Sequence, residues 1–434
     1  MGGKWTTIGA ISEVFDGPHA TPKKIEDGPY FLSISSLENG KLDLSKSARI
    51  SEEQFKKWTR RVTPEPGDVL FSYETRLGEA ALMPEGVRAC LGRRMGLLRP
   101  DREKVDPRFL LFAYLGPEFQ QEIKTRTNYG ATVERIALKE LPDFPIRLPS
   151  LDEQRRIAHI LGTLDEKIEL NRQMNTTLEA MAQALFKSWF VDFDPVIDNA
   201  LSAGNPIPEA LQARAEMRKA LAEQRKPLPA EIQRQFPSRF VFTEQMGWVP
   251  EGCEVEPIGD LIERLSVGKK FSQKTATESG TVPILDQGKS GIIGFHNEEP
   301  GVLASPEDPI IVFANHTCYM RLVMHNFSAI QNVLPFKGKS LDIYWLYFAT
   351  LGKQSFIEYK GHWPDFVIHN LVVPNNGLDR VFGEQVASFA KSIFAREVQN
   401  ESLANIRDTL LPKLLSGQLR IPDAEAIVEQ AAAG

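Results

Sequence analysis

Two short motifs in this sequence resemble a nucleotide-binding loop, and both lack a residue that the chemistry requires. Gly-Lys-Ser occurs at residues 288–290 and again at residues 338–340. A phosphate-binding P-loop also needs a glycine five residues before its Gly-Lys pair. Those two positions hold Pro283 and Val333. Neither motif therefore predicts a nucleotide site.

Other catalytic motifs are also missing from the sequence. HExxH and GxSxG do not occur, and no two of the seven histidines are spaced as HxH or HxxxH. An Asn/Asp-Pro-Pro-Tyr/Phe motif of amino-methyltransferases and a glycine-rich cofactor loop are absent as well. We therefore expect no metal site, no cofactor and no catalytic residue in this chain. Acidic residues around a lysine, as in some nucleases, are too common a pattern to exclude.

The three cysteines, Cys90, Cys253 and Cys318, lie far apart and form no CxxC pair. This pattern favours reduced thiols and a cytoplasmic location. The start of the sequence has no apolar segment of the kind that directs secretion, and no run of about 18 apolar residues predicts a membrane span.

Several polar segments of the sequence carry the types of side chain that proteins use to contact nucleic acids. Arg126 has the donors to read guanine and Asn128 those to read adenine, whereas lysines and threonines suit phosphates. Ordinary surface loops are the alternative. The first candidates, in a loop at residues 124–132 and a shorter one at 360–363, are Lys124, Arg126, Thr127, Asn128, Tyr129, Thr132, Lys360, His362 and Trp363. Further candidates are His19, Thr21, Lys23, Lys24, Lys269, Lys270, Lys274 and Lys289.

The overall charge gives little support to nucleic-acid binding. The 434 residues carry a net charge of −6 at pH 7, whereas many nucleic-acid binders are basic. Local potential matters more than the sum, and basic pairs such as Lys23-Lys24 and Arg93-Arg94 occur in the first third of the chain.

The two halves of the chain repeat the same order of features. LLFAYLG at residues 110–116 corresponds to LYFATLG at residues 346–352, and Asp106 and Asp342 precede them in register. A buried-type strand lies before each, and a proline-terminated β-like run and a long helix follow each. The offset stays near 230 residues, which predicts a duplicated domain.

Each half ends in a long helix with an apolar stripe. Pro149 and the Ser150-x-x-Glu153 capping box predict the start of the first helix. The two stripes predict an antiparallel pair of helices with a coiled-coil seam. The expected seam residues are Ile157, Leu161, Leu164, Ile168, Asn171, Leu178, Leu185, Phe389, Ile393, Asn400, Leu403 and Leu410. The polar positions, Asn171 and Asn400 among them, either set the register of the pair or lie where solvent enters.

These features predict an α+β fold with two similar mixed α/β domains and pseudo-two-fold symmetry. The expected segments are a first globular domain at 1–149, a long helix at 150–192, a linker with one short helix at 193–245, a second globular domain at 246–380, a second long helix at 381–418, and a tail at 419–434 that frays. Such a duplicated chain suits two DNA half-sites separated by a fixed gap, and the divergence between the halves predicts half-sites of different sequence.

The assembled residues resemble the specificity subunits of Type I restriction–modification systems. Residues 148–171 and 185–190 are similar to the central conserved region of that family, and residues 410–421 to its C-terminal region. Residues 16–22 and 282–295 resemble stretches of two classes of target recognition domain. Residues 236–253 resemble the lead-in to the second recognition domain, with Cys253 where the family usually has tryptophan.

The resemblance implies a non-catalytic subunit that reads double-stranded DNA in two parts. It further implies that two modification (N6-adenine methyltransferase) subunits bind along the paired helices, and that restriction motor–nuclease subunits join them. S-adenosylmethionine, ATP and Mg²⁺ would then belong to those partners. Met174, Met181, Phe186 and Phe190 are either partner-facing or further core. The alternative function is a non-enzymatic coiled-coil scaffold that binds protein or RNA, and a fused restriction enzyme reduced to its reading half is a third possibility.

Overall fold

The structure, a computed structural model, describes residues 3–18, 21–127, 134–221, 227–288 and 291–433. It contains two compact units. Unit 1 is formed by Met1–Asn171 together with Gln399–Gly434, and unit 2 by Arg172–Val398. Both units mix helices with small sheets.

Unit 1 begins with a series of short strands and helices. Its strands are β1 (Lys4–Thr7), β2 (Ser12–Asp16), β3 (Ile25–Phe31), β4 (Leu37–Glu38), β5 (Lys41–Leu42), β6 (Ala48–Arg49), β7 (Val69–Ser72), β8 (Ala80–Leu82), β9 (Ala89–Cys90), β10 (Met95–Pro100) and β11 (Pro145–Leu148). Its first helices are α1 (Ile8–Ile11), α2 (Glu52–Trp58), α3 (Pro107–Leu115) and α4 (Pro117–Arg126).

The main sheet of unit 1 is antiparallel and has the strand order β2-β10-β7-β8. Helix α3 belongs to the same hydrophobic core as this sheet, with Phe109 and Tyr114 fully buried. The carboxylate of Asp106 caps α3 by accepting hydrogen bonds from the N–H groups of Arg108 and Phe109. The heptapeptide that repeats in the sequence is therefore a buried helix.

The first long helix, α5 (Leu151–Phe190), begins where the capping box predicts. The backbone N–H of Glu153 donates to Ser150 Oγ at 3.4 Å, and the N–H of Ser150 donates to Glu153 Oε2 at 3.1 Å. These two reciprocal bonds satisfy N–H groups that would otherwise lack partners at a helix start.

The segment after α5 is a packed part of unit 2, and the prediction of a linker with one short helix is wrong. It contains α6 (Asp194–Ala203), α7 (Gln212–Ala220) and α8 (Ala230–Gln233). Pro195 stands in the first turn of α6, where its fixed φ favours a helix start. Val196, Ile197 and Ala200 are buried, so α6 has an apolar face of its own.

Unit 2 continues with a second series of short elements. Its strands are β12 (Phe240–Thr243), β13 (Gly247–Pro250), β14 (Glu254–Pro257), β15 (Ile262–Arg264), β16 (Lys270–Phe271), β17 (Val282–Leu285), β18 (Ile292–His296), β19 (Ile310–Ala314), β20 (Met320–Val323), β21 (Ser328–Ile330), β22 (Val333–Gly338) and β23 (Asn370–Val373). Its helices in this stretch are α9 (Ile258–Leu261), α10 (Ile343–Thr350) and α11 (Trp363–Val367).

Unit 2 repeats the connectivity of unit 1. Its sheet β15-β22-β19-β20 is antiparallel and has the order of β2-β10-β7-β8, and β14 pairs with β23 as β1 pairs with β11. Asp342 caps α10 through the N–H groups of Tyr344 and Trp345, as Asp106 caps α3. The duplication predicted from the sequence is present in the fold.

The second long helix, α12 (Leu378–Ser416), runs antiparallel to α5 within each unit. In unit 1, Arg407 Nη1 lies 2.7 Å from Asp165 Oδ1, and Asn171 is hydrogen-bonded to Asn400. In unit 2, Asn175 Nδ2 lies 3.3 Å from the carbonyl oxygen of Ile393. Of the expected seam residues, those buried are Ile157, Leu161, Leu164, Ile168, Asn171, Leu403 and Leu410. Those half-buried are Leu178, Leu185, Phe389, Ile393 and Asn400.

The tail is ordered, so the expectation that it frays is wrong. It forms α13 (Ile421–Ala433), with Ala424 and Val428 buried in the core of unit 1. The guanidinium of Arg156 on α5 pairs with the carboxylate of Glu425 at 2.7 Å. Two small apolar residues four positions apart are enough to give this Ala- and Glu-rich helix a packing face.

Candidate nucleic-acid interface

One end of the main sheet of unit 1 gathers three chain connections. In the β2–β10 pair Asp16 lies opposite Gly96, and in the β7–β10 pair Ser72 lies opposite Met95. The connections that follow Asp16 and Ser72 and the one that precedes Met95 therefore leave the sheet at the same end. In sequence they are far apart, and only the strand register brings them together.

Backbone hydrogen bonds join these connections to the segment before β11. They run from Gly17 N to Met95 O, from Tyr73 N to Arg94 O, from Thr75 N to Glu134 O and from Ile136 N to Tyr73 O, at 2.8, 3.2, 3.2 and 2.9 Å. We call residues 16–18, 73–76, 92–94 and 134–136 the unit 1 turn cluster. It includes residues 16–18 of the segment 16–22, and its residues 134–136 follow the predicted loop 124–132 in the sequence.

Close approach of backbone fixes the shape of the unit 1 turn cluster. A Cβ atom on Gly17 would lie 2.3 Å from the carbonyl oxygen of Gly92, so only glycine fits there. Thr75 and Arg94 have φ values of 74° and 70°, in the left-handed region that residues with a Cβ avoid. The Nη1 of Arg94 donates to Thr75 Oγ1 at 3.2 Å, so these two residues support each other.

A buried phenol lies within the unit 1 turn cluster. Tyr73 is 6% exposed, and its hydroxyl has no hydrogen-bond partner among the described residues. Burial raises the pKa of Tyr73, and the charges of Asp16 and Glu74 raise it further. Asp16 is itself paired with Arg61 at 2.8 Å. The phenol is therefore neutral at physiological pH.

Unit 2 has a corresponding cluster at the same end of its sheet. Ala314, the last residue of β19, pairs with Val333, the first residue of β22. Cys318 and Asn332 are left-handed, with φ of 57° and 69°, after β19 and directly before β22. Hydrogen bonds run from Asn315 N to Asn332 O, from His362 N to Asn315 O, from Trp363 N to Asn315 Oδ1 and from His316 N to Gln287 Oε1, at 2.9, 2.9, 2.8 and 2.9 Å. We call residues 286–288, 291, 315–318, 332 and 360–363 the unit 2 turn cluster.

A half-buried arginine holds one turn of the unit 2 turn cluster in place. The Nη2 of Arg321 donates to the carbonyl oxygens of Asp286 and Gly291, both at 3.0 Å. Burial lowers the pKa of Arg321 from its usual high value. Since an arginine remains charged in proteins, the cost of burying it is offset by these two charge-assisted bonds.

The candidates at the end of α4 lie in different surroundings from those expected. Residues 124–126 complete helix α4 rather than a loop. Thr127 is buried, and its hydroxyl donates to the carbonyl oxygen of Ile123, so it is not presented to a phosphate. Arg126 pairs with Glu122 at 2.5 Å and lies over the ring of Phe144. Lys124 is exposed.

The candidates near residue 362 also differ from the expectation of a loop. His362 is fully buried, and its Nε2 lies 3.0 Å from the carbonyl oxygen of Glu358. Trp363 starts helix α11 and packs against Phe313 and Phe366. Lys360 is exposed and paired with Asp365 at 3.2 Å. A proline after Trp363 favours this helix start.

The remaining described candidates are exposed lysines and a threonine. Thr21, Lys23, Lys24, Lys269, Lys270 and Lys274 are all exposed. Lys269 is paired with Glu298 at 2.5 Å, which reduces the charge that it can offer to a phosphate. His19, Asn128, Tyr129, Thr132 and Lys289 lie outside the described residues.

The sequence reasoning missed the residues that form the centre of each turn cluster. In unit 1 these are Thr75 together with Arg93 and Arg94, which the sequence analysis named only as a basic pair, and in unit 2 they are Asn315 and His316, with Tyr359 next to the cluster. The Tyr359 side chain is 83% exposed, and its ring centroid lies 4.9 Å from that of His316. A polar turn directly after a fully apolar strand, as in Asn315-His316-Thr317 after β19, was the signal that would have found some of them.

Among the described residues, no three His, Cys, Asp or Glu side chains are grouped to hold a metal ion. In the same part of the chain, no helix combines the length and apolar character needed to cross a membrane.

The family model and the relatives that are similar to this chain agree on one family. Residues 5–180 match the family model described as the Type I restriction modification DNA specificity domain. The chain is 26% identical to the HindI specificity subunit of Haemophilus influenzae, over 81% of this chain and 86% of the relative. It is 24% identical to the MjaIX specificity subunit of Methanocaldococcus jannaschii, over 95% and 89%.

A solved structure shows the same fold. The S subunit of a Type I restriction–modification system from M. genitalium aligns with a TM-score of 0.52 and 18% identity, covering 95% of this chain and 96% of that one. The family is one of DNA specificity subunits, so the assignment of a recognition rather than a catalytic role follows from membership. Residues 5–180 thus belong to the DNA specificity domain family of Type I restriction–modification systems, and the chain as a whole is similar to specificity subunits of those systems.

Proposed function

We propose that this chain recognises a bipartite, asymmetric DNA site, with one half-site contacted by each turn cluster. The observation that carries the proposal is the repeated placement of polar turns at one end of each main sheet. Both units have left-handed residues at corresponding positions, after the strand β7 or β19 and before β10 or β22. A shared scaffold with different side chains suits two half-sites of different sequence.

The side chains of the two turn clusters favour different readings. The unit 1 turn cluster offers Arg93 and Arg94, and the unit 2 turn cluster offers Asn315, His316 and Thr317. Arginine pairs best with guanine in the major groove, whereas amides and hydroxyls suit other edges. Two identical half-sites would not need this difference.

We further propose that the chain carries its partners to the DNA rather than acting on it. The relatives are specificity subunits of Type I restriction enzymes by name. By that relationship two N6-adenine methyltransferase subunits and restriction motor–nuclease subunits assemble on this chain. S-adenosylmethionine, ATP and Mg²⁺ would serve those partners, and the complex would act on DNA in the cytoplasm.

The test is to express the chain with its cognate modification subunit and to sequence the N6-methylated adenines in the host DNA. We expect one motif made of two different specified parts with an unspecified gap. The modification subunit expressed alone is the control and should give no motif. A continuous palindrome, or no motif with both subunits present, would overturn the proposal.

A binding experiment separates DNA recognition from a scaffold role. Affinity of the complex for a duplex that contains the motif should fall steeply with salt, because phosphate contacts release counterions. Binding to duplex that does not depend on salt would instead favour the scaffold function.

A further inference from the structure

The backbone at Arg94 is the least expected feature of the unit 1 turn cluster. Arg94 is the last residue before β10 and has φ of 70°. At the corresponding position before β22, unit 2 has Asn332 with φ of 69°. Asparagine takes the left-handed conformation readily, whereas arginine does so at a cost. The turn by itself therefore favours asparagine or glycine, and an arginine needs a different explanation.

The side chain of Arg94 is held from one side. Its Nη1 donates to Thr75 Oγ1 at 3.2 Å, and its buried Nε lies 3.3 Å from Glu74 Oε2. The side chain is 29% exposed and that of Glu74 21% exposed. Within the described residues, Nη2 makes no hydrogen bond. The guanidinium is thus oriented by two neighbours while part of its edge stays accessible.

Thr75 is a second residue of the unit 1 turn cluster with an unfavourable backbone conformation. It is β-branched and left-handed, with φ of 74°, and it is exposed. Strain of this kind persists where the surroundings enforce it, and it is concentrated at functional sites. Two strained residues that are hydrogen-bonded to each other through side chains indicate a structure built to place the arginine.

Other arginines are less suited to contact a base. Arg126, the guanine reader expected from the sequence, is paired with Glu122 and lies over Phe144. Arg61 is paired with Asp16. Arg93, next to Arg94, is exposed, and among the described residues its side chain makes no hydrogen bond or ion pair like those of Arg94. Arg93 is therefore the better candidate to contact a DNA phosphate.

We propose that Arg94 reads a guanine in the half-site bound by unit 1, with Glu74 and Thr75 as positioning residues. The planar fork of arginine donates to O6 and N7 of guanine, an arrangement that no other base pair offers in the major groove. A guanidinium fixed before DNA binds loses less conformational freedom than a free side chain. This inference rests on the proposed function and names the base that one of its two sites selects.

The test uses the complex of the full chain with its modification subunit and the two-part site found by methylation sequencing. Binding is measured to the correct duplex and to duplexes with each base pair of either half-site replaced in turn. For Arg94→Met we expect a loss of about 5- to 150-fold for the correct duplex, and equal binding to all bases at one former G·C position. Discrimination in the half-site of unit 2 should not change.

Arg93→Met is the matched control, because it removes the same charge from the adjacent residue. It should weaken binding to all duplexes equally and reduce the slope of log K against log salt concentration by about 1. Thr75→Val and Glu74→Gln should each weaken discrimination at the same base pair as Arg94→Met, and at no other. A merely structural role would change all positions alike.

The variant Arg94→Gly distinguishes loss of the arginine side chain from misfolding of the turn. Glycine accepts the left-handed conformation, so the melting temperature of the variant should equal or exceed that of the wild type. It should nevertheless lose the same base preference as Arg94→Met. If both variants keep full discrimination at every base pair, Arg94 is not a reader and the inference fails, while two-part recognition stands. If the wild-type complex itself shows no two-part specificity, the proposed function fails instead.

Discussion

Asn171 on α5 and Asn400 on α12 are hydrogen-bonded to each other, Nδ2 to Oδ1 at 2.9 Å, although 229 residues separate them in the sequence. The same Nδ2 donates to Gln399 Oε1 at 2.7 Å. Asn171 is 3% exposed, so its amide is removed from water and depends on these partners. A polar residue buried in a helix seam favours the register in which its hydrogen bonds are made. The sequence left open whether Asn171 sets the register of the helix pair or lies where solvent enters the seam. These contacts favour a role in setting the register.

Asn171→Leu should destabilise unit 1. The amide oxygens of Gln399 and Asn400 would lose their donor in a partly buried place, at a cost of about 1–2 kcal/mol. The double variant Asn171→Leu/Asn400→Leu should recover stability, since two apolar side chains then face each other. Hydrogen–deuterium exchange of peptides from the middle of α5 is the appropriate measurement, because a protein with two units does not unfold in one step.

Asn175→Leu provides the comparison on the same helix. Among the described residues the buried Oδ1 of Asn175 has no hydrogen-bond partner, and its Nδ2 makes a bond of 3.3 Å, so little is lost when the amide is removed. We expect exchange in α5 to be unchanged or slower in this variant. A double variant that is less protected than Asn171→Leu alone would contradict the account of the Asn171 cluster.

The long helices and the duplication could be predicted because their signals are local. The capping box at Ser150 and Glu153 forms the predicted hydrogen bonds. Asp106 and Asp342, in register in the sequence, are the caps of equivalent helices. Each of these features is encoded within a few residues, so a pattern in the chain is sufficient to find it.

The turn clusters could not be predicted because they depend on strand register. Arg94 and Thr75 are 19 residues apart and meet only because Met95 pairs with Ser72. A left-handed arginine has no sequence signature, since the residue type argues against that conformation. The same limit explains His362, whose burial follows from the packing of the segment against Asn315 rather than from its own neighbours in sequence.

The C-terminal helix α13 should contribute to the stability of unit 1. Val428→Ala removes buried methyl groups from a side chain that is 5% exposed, and we expect a loss of about 1–3 kcal/mol. Ile427→Ala is the matched control: it changes a β-branched residue of the same helix that is 41% exposed, so it should cost less than about 1 kcal/mol. Exchange of peptides from α13 and from the start of α5 would report both effects. Equal protection in the two variants would show that α13 does not pack as described.

Asp194 should stabilise unit 2 in a pH-dependent way. The carboxylate accepts hydrogen bonds from Arg214 at 2.7 and 2.8 Å and from Ser188 at 2.7 Å, and Arg218 lies 3.2 Å away. Burial is the largest single influence and raises the pKa of Asp194, but the hydrogen bonds of Arg214 and Ser188 and the two positive charges together outweigh it and lower the pKa. Asp194→Asn should cost about 3–5 kcal/mol at pH 7, because two arginines lose their buried partner.

Because the folded pKa of Asp194 is lowered, its stabilisation is present above the unfolded value near 4 and is lost as pH falls below it. The difference between the wild type and Asp194→Asn in the midpoint of the unfolding transition of unit 2 should therefore narrow as the pH falls from 5 to 2. Glu216→Gln, which breaks the exposed pair with Lys219, should change the midpoint little at any pH. If the difference in midpoint between the wild type and Asp194→Asn stayed constant with pH, this linkage between protonation of Asp194 and stability would be ruled out.

Arg321 should affect recognition of one half-site without contacting the DNA. Its two bonds to Asp286 and Gly291 support the described turn residues 286–288 and 291 of the unit 2 turn cluster. In Arg321→Met this turn loses its support, so we expect weaker binding and weaker base discrimination in the half-site of unit 2 only. The loss of binding and discrimination in Arg321→Lys should be smaller than in Arg321→Met but still present, since an ammonium lacks the planar fork that serves two carbonyl oxygens. Lys337→Met removes one positive charge elsewhere in unit 2 and should leave discrimination intact. The measurement is binding of the full complex to duplexes altered in either half-site. An equal loss of base discrimination in both half-sites would show that Arg321 acts on general stability rather than on this turn.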